Sequence, residues 1–266
     1  MSQIPISNVM KDEFGWEVPV ESVPLPSRGL IYNPDTILYN TETINIKAMT
    51  AREEDILSSQ AYMKEGVVIE KLIESCVMDK SIDVDDLIAG DKNALMVAIR
   101  ITGYGSDYNV EHRCRNCETF NKVNIGLSSL PIRRIKHEPL ETGKNLFAFT
   151  LPVTKKVIQY KIPTGRDEKE QQQKEKRYKQ LGIIKTNSSV TDFLEKIIVS
   201  VDGVTDRNKI THFINSMPAL DSRKLRLHAS ENEPGIDMSW KYECSSCQYE
   251  NDINVPVTTE FFWPST

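Results

Sequence analysis

At 266 residues and 39% hydrophobic content the chain can bury a substantial core, and five cysteines, four of them clustered, are too few for a secreted disulfide scaffold. The formal charge of −5, with acids and bases intermixed, gives no global field towards a phosphate backbone, which argues against nucleic acid as a partner. No run approaches the roughly 18 to 20 apolar residues of a membrane helix. The start, MSQIPISNVM, lacks a basic segment followed by an apolar block, so a cytoplasmic protein is expected.

In chain order, residues 1–34 read as an extended, proline-rich arm: prolines 19, 24, 26 and 34 disfavour helix, and Gly29 permits a sharp turn. ETINIKAM alternates Ile44 and Ile46 with polar neighbours, the period of a short strand. A helical unit over 35–110 follows. Thr50 stands three residues before Glu53 in TAREEDILSS, so its hydroxyl is placed to cap the first free amides, with Glu53, Glu54 and Asp55 at the positive end of the helix dipole. VVIEKLIESCVM puts Val68, Leu72, Ile73 and Cys76 on one face, which makes Cys76 a core thiol. DVDDLIAGDKNALMVAIRITGYG predicts an acidic turn, then a helix through Leu95, Ile99 and Ile101 that stops at Gly103 and Gly105.

Beyond Cys117, KNLFAFTLP and VIQYKIP carry strand patterning, and GRDEKEQQQKEKRYKQLG is charged nearly all round, as a solvated helix is. SSVTDFLEKIIVSVDG predicts an amphipathic helix with Phe193, Ile197 and Val201 on one stripe. RNKITHFINSMPALDSRKLRLHAS predicts two helical pieces broken at Pro218, the second starting from an Asp221 or Ser222 cap.

The most specific signal is a repeat. HRCRNCETFNKVNI and YECSSCQYENDINV each hold a C-x-x-C turn, with 126 residues between the pairs. In both, a histidine or tyrosine lies two residues before the first cysteine and a short alternating strand follows. An aromatic stands three residues after the second cysteine in the first copy (Phe120) and two after it in the second (Tyr249). One such turn supplies two thiolates, half of a tetrahedral zinc site. Two of them closing on one ion predict a four-cysteine zinc ribbon with Cys114, Cys117, Cys244 and Cys247 as ligands and one structural Zn2+ per chain. A thioredoxin-like pair belongs at a helix start, and four thiolates leave no position open for a catalytic water. His112 is the alternative ligand, against its reading as a satisfied surface histidine.

The resulting fold class is α+β. The helical unit is joined to a two-knuckle ribbon (111–126 plus 240–257), with a mixed α/β-patterned insertion (127–239) between the knuckles and an aromatic tail (258–266). No enzyme is expected: there is no phosphate-binding glycine loop, no H-E-x-x-H, no G-x-S-x-G, and the histidines at 112, 137, 212 and 228 lie apart from any nucleophile motif. In TTEFFWPST, the residues Phe261, Phe262 and Trp263 either fold back onto the core or serve as candidate partner-binding anchors. The same choice attaches to Phe14 and Trp16.

Taken as a series, LPSRGLIY, TAREEDILSS with VVIEKLIESCV after it, GYGSDY, and the CRNC and CSSC turns resemble the baseplate proteins of T4-type contractile-tailed phages, a family that includes baseplate hub subunits and hub-assembly proteins. The resemblance covers the chain to about residue 125 and the C-terminal knuckle. It implies a non-enzymatic role as a hub component or a released assembly chaperone, with other tail and baseplate hub proteins or the tape-measure protein as partners. It also implies residence in the host cytoplasm during assembly or in the tail baseplate of the virion. The alternative from another class is a zinc-ribbon protein that binds nucleic acid or transcription machinery. Against it, the first knuckle carries Arg113, Arg115 and Lys122 but the second Glu243, Glu250 and Asp252, so the two share no basic face.

Overall fold

The computed structural model describes residues 8–11, 17–180, 189–257 and 259–262. Phe14, Trp16 and Trp263 therefore lie outside the described residues. The proline-rich segment is built into a sheet: β1 (Asn8–Lys11) pairs antiparallel with β2 (Glu17–Pro24), and β2 with β3 (Thr43–Lys47). Extended backbone is what the prolines favour, and Val23, Ile44 and Ile46 bury one face of the β2–β3 pairing.

The turn after β2 is held from below. Buried Asp91 accepts the Ser27 amide at 2.9 Å, the Ser27 hydroxyl at 2.5 Å and the Tyr32 hydroxyl at 2.6 Å. Arg28 (φ 54°) and Gly29 (φ 70°) then turn the chain sharply, and a side chain on Gly29 would meet the Thr41 amide nitrogen at 2.4 Å.

Three short helices follow: α1 (Ala51–Ser58), α2 (Gln60–Glu65) and α3 (Val68–Cys76). Thr50 does start α1, but its hydroxyl bonds to the Glu53 carboxylate, which also accepts the Thr50 amide at 2.9 Å. Burial opposes ionisation of Glu53. Hydrogen bonds from Lys47, Ser75 and Thr50 outweigh that and hold its carboxyl at about 2. Leu72, Ile73 and Cys76 are buried on α3 as their spacing requires, and burial pushes the Cys76 thiol up to about 12, an inert core group.

Helix α4 (Ala89–Tyr104) is the central element, buried along most of its length. It ends at Gly105 (φ 83°). Gly103, expected as a stop, sits inside the helix, where a β-carbon would come 2.6 Å from the Met49 methyl. Arg100 is fully buried, and its guanidinium donates to the carbonyls of Phe261 (2.5 Å), Gly105 (2.6 Å) and Asp107 (3.1 Å).

Two hairpins carry the cysteines, β4 (Asp107–Arg113) with β5 (Phe120–Gly126), and β11 (Ser239–Glu243) with β12 (Glu250–Asn254). The chain leaves the first through β6 (Ile132–Arg133) and comes back to the second through β10 (Gly235–Ile236). These two pair antiparallel, so both ends of the long intervening segment meet in one ladder. Between them lie β7 (Phe147–Thr150), β8 (Val157–Tyr160), helices α5 (Gly165–Gln180) and α6 (Ser189–Ile197), β9 (Ile198–Val201), and helices α7 (Arg207–Ser216) and α8 (Ala219–Asn232).

Two expectations change in this segment. The stripe Phe193–Ile197–Val201 does not exist: α6 stops at Ile197 and the β-branched run IVSV becomes β9, pairing with β8, while Leu194 and Ile197 face the core and Phe193 stays exposed. Asp221 does not start a helix. It lies in the first turn of α8, and its carboxylate caps the turn after β7 by accepting the Val153 and Thr154 amides at 2.7 and 3.0 Å. The charged α5 is docked at its start, where Arg166 pairs with Asp83 and Asp86, and Lys169 with Asp85.

One continuous core runs from Val23 to Phe262, joining α3, α4, the β7–β8–β9 sheet, α6, α7, α8 and both hairpins. The last described element, α9 (Thr259–Phe262), folds back onto it: Phe261 and Phe262 are buried, and Phe261 meets Tyr108 edge-on at 5.2 Å. Among the described residues no helix is long and apolar enough to cross a membrane.

Candidate metal centre

The second hairpin repeats the first with a constant offset. Arg113 pairs with Phe120 as Glu243 pairs with Glu250, and His112 with Asn121 as Tyr242 with Asn251. Exposure from 111 to 125 is repeated position by position from 241 to 255. Each knuckle closes the same way. The first cysteine donates its amide to the residue five on (Cys114 N to Thr119 O, 2.9 Å; Cys244 N to Tyr249 O, 3.0 Å) and accepts the amide four on (Glu118 N, 3.0 Å; Gln248 N, 2.9 Å). That tight return places Glu118 and Gln248 in the left-handed region, at φ 61° and 58°.

The knuckles face one another. Tyr108 at the root of the first donates to Pro256 O beyond the end of the second at 3.1 Å. At the other end the four sulfurs of Cys114, Cys117, Cys244 and Cys247 all lie within 4.8 Å of one another. The cross-knuckle distances are 3.8 Å for Cys114 to Cys247 and 3.6 Å for Cys117 to Cys244. Sulfurs about 2.3 Å from a central ion stand about 3.8 Å apart along a tetrahedral edge, whereas a disulfide needs about 2.05 Å. All four thiols are free, with Cys114 and Cys244 buried and Cys117 and Cys247 half-buried.

Amides aim at the sulfurs. The Cys117 amide is the strongest influence on Cys114, and with Asn251 and Asn116 it outweighs burial to pull that thiol down to about 6. Cys244 is lowered by the amides of Cys247 and Ser246 and by Asn121. Cys247 accepts the Tyr249 amide, yet burial and the neighbouring sulfurs of Cys117 and Cys244 push it up. Four negative sulfurs in this space repel one another; a divalent cation removes that repulsion, so the donor set and spacing suit zinc.

His112 is satisfied elsewhere. Its Nδ1 lies 2.8 Å from the Tyr242 hydroxyl, and the rings meet edge-on at 5.7 Å, so the two residues ahead of the first cysteines touch each other. Phe120 and Tyr249 are not equivalent: Phe120 sits where the second copy has Glu250, and both rings are exposed. Asn121 and Asn251 are site residues that the cysteine spacing alone did not reveal. Each stands four after its second cysteine and reaches the first sulfur of the opposite knuckle at 3.5 Å. The signal was present as a repeated C-x-x-C-x-x-x-N.

A family model described as T4 bacteriophage base plate protein matches residues 31–263, spanning the helical unit, both knuckles and the segment between them. The chain belongs to that family. No curated protein and no solved structure matches it. Membership makes this a structural protein of the bacteriophage base plate, which works in the virion tail among other base plate proteins.

Proposed function

We propose that this base plate protein acts at the hub of a contractile tail, as a hub subunit or as a hub-assembly factor. It does so by protein–protein binding on a scaffold whose two distant knuckles are pinned by one structural zinc. The family match supports the base plate role, and the convergence of Cys114, Cys117, Cys244 and Cys247 within 4.8 Å carries the zinc reading. Four sulfur donors fill a tetrahedral shell and leave no open position, so the ion's contribution is to folding.

A second reading, a nucleic-acid-binding zinc ribbon, has less support. Arg113 is paired with Glu118 at 2.5 Å, and in the other knuckle Lys241 is paired with Glu250 at 2.9 Å, so one basic group in each hairpin is already partnered by an acid of the same hairpin.

Native mass spectrometry of the chain, alone and co-expressed with its neighbouring tail proteins, tests the proposal. One zinc per chain and a defined complex with a hub or tape-measure protein is the expected result. Metal-free chains sink the zinc reading, and failure to associate with any hub or tape-measure protein sinks the hub reading. A salt-dependent shift with DNA or RNA would bring the second reading forward.

A further inference from the structure

We propose that Asn121 and Asn251 are reciprocal positioning residues of the metal centre, each rooted in one knuckle and holding the first sulfur of the other. The inference rests on the structural-zinc reading above and extends it to residues outside the ligand set.

A carboxamide offers two N–H donors and one acceptor oxygen, and both asparagines use all three. Asn251 Nδ2 donates to Tyr249 O in its own knuckle (3.0 Å) and to Cys114 Sγ across the interface (3.5 Å), while its Oδ1 accepts the Arg115 amide (3.0 Å). Asn121 does the same in reverse. Its Nδ2 donates to Thr119 O (2.9 Å) and Cys244 Sγ (3.5 Å), and its Oδ1 accepts the Ser245 amide and hydroxyl, both at 2.9 Å. The side chains are 6% and 1% exposed, so water does not substitute for these bonds.

Residues of similar size do not meet these demands. Aspartate has the same shape but neither donor, and it would set a carboxylate against a sulfur that carries negative charge in the metal site. Leucine fills the space and satisfies nothing. Because each knuckle stabilises the sulfur of the other, neither presents a complete half-site alone, and the pair closes only in the observed register. Asn116, which donates to Cys247 Sγ at 3.6 Å, has Ser246 at the matching position, so the reciprocity belongs to the two buried asparagines.

The test uses the full chain and its Asn121→Asp and Asn251→Asp variants, with Leu225→Ala, a cavity in the distant core of α8, as a control matched for loss of stability. Zinc release to a chromogenic chelator and the sulfur-to-cobalt charge-transfer bands of the cobalt-loaded protein are measured. The asparagine variants are expected to keep a four-sulfur cobalt spectrum and to release zinc roughly 10- to 100-fold faster, as loss of an outer-shell partner does; Leu225→Ala releases it at the wild-type rate. Unchanged release in the asparagine variants, or equal acceleration in Leu225→Ala, overturns the proposal. If wild type takes up neither ion, the zinc reading falls by itself. Thiol reaction rates in the metal-free chains at neutral pH then decide: Cys114 in Asn251→Asp and Cys244 in Asn121→Asp, each losing the donor that stabilises its thiolate and facing a carboxylate instead, should react roughly 10-fold more slowly than in wild type, and equal or faster rates overturn the asparagine clasp.

Discussion

Withdrawing the metal is the perturbation that bears most directly on the clasp. Cys114 and Cys247 are 133 residues apart in sequence. A cross-link closing a loop of that length removes enough freedom from the unfolded chain to stabilise the fold by about 5 kcal/mol in the chain-entropy treatment. A C-x-x-C pair in the unfolded chain retains some affinity for zinc, which lowers the expected loss on chelation to about 3 kcal/mol. With a urea dependence of about 3 kcal/mol per molar, the midpoint moves down by about 1 M. The chelated protein should remain folded, because the β6–β10 ladder and the Tyr108 bond to Pro256 O join the hairpins without the ion. The assay is urea unfolding followed by circular dichroism, zinc-loaded against chelated, with Cys114→Ser and Cys244→Ser alongside. Complete removal of zinc with a midpoint shift below about 0.3 M would refute the entropic argument, and full zinc retention in both serine variants would refute the ligand assignment.

Three further outcomes follow from the packing. Gly90→Ala puts a β-carbon 1.8 Å from Pro234 O, where α4 lies against the chain entering β10; backbone must part there, so a loss of about 3 kcal/mol or more is expected by chemical denaturation. His228 is stacked between His137 (4.4 Å) and Phe149 (4.5 Å), with Tyr160 edge-on and Lys136 and Glu231 nearby, and burial first, then His137, lowers its pKa. A depressed histidine is stabilising above its unfolded value of 6.5 and loses that contribution as pH falls, so the wild-type midpoint should drop from pH 7 to 5, and the drop should be smaller in His228→Phe. Arg28, itself exposed, holds a left-handed conformation, so Arg28→Gly should raise stability by about 1 kcal/mol in a thermal melt, and a loss would mean that the side chain makes a stabilising contact.

Much of the site was legible because its chemistry is local. Two C-x-x-C turns, each with a strand behind it, specify tight knuckles by short-range hydrogen bonds alone, and sulfur donors in that spacing have few other uses. The asparagines were harder to see: four residues past a cysteine, Asn121 looks like any polar residue at the start of a strand, and only the opposite knuckle gives it a purpose. Elements with clean periodicity, such as β3 and α3, matched their patterns. Where a pattern was shared between two structures, as in EKIIVSV, pairing with β8 overrode the helical stripe, since the β-branched Ile198, Val199 and Val201 suit a strand packed on β8 better than another helical turn.

By itself, then, the sequence determined the extended start, the core thiol Cys76, the break at Pro218 and the four candidate ligands, because each depends on dihedral limits or on side chains within a few positions of one another. Tertiary structure decided the rest. It turned the proline-rich arm into the central strand of a sheet, put Asp221 on a turn 67 residues away, and tied the Phe261 carbonyl to buried Arg100. These outcomes depend on which distant polar groups must be satisfied once a common core has closed over them, and such partners leave no spacing in the chain to read.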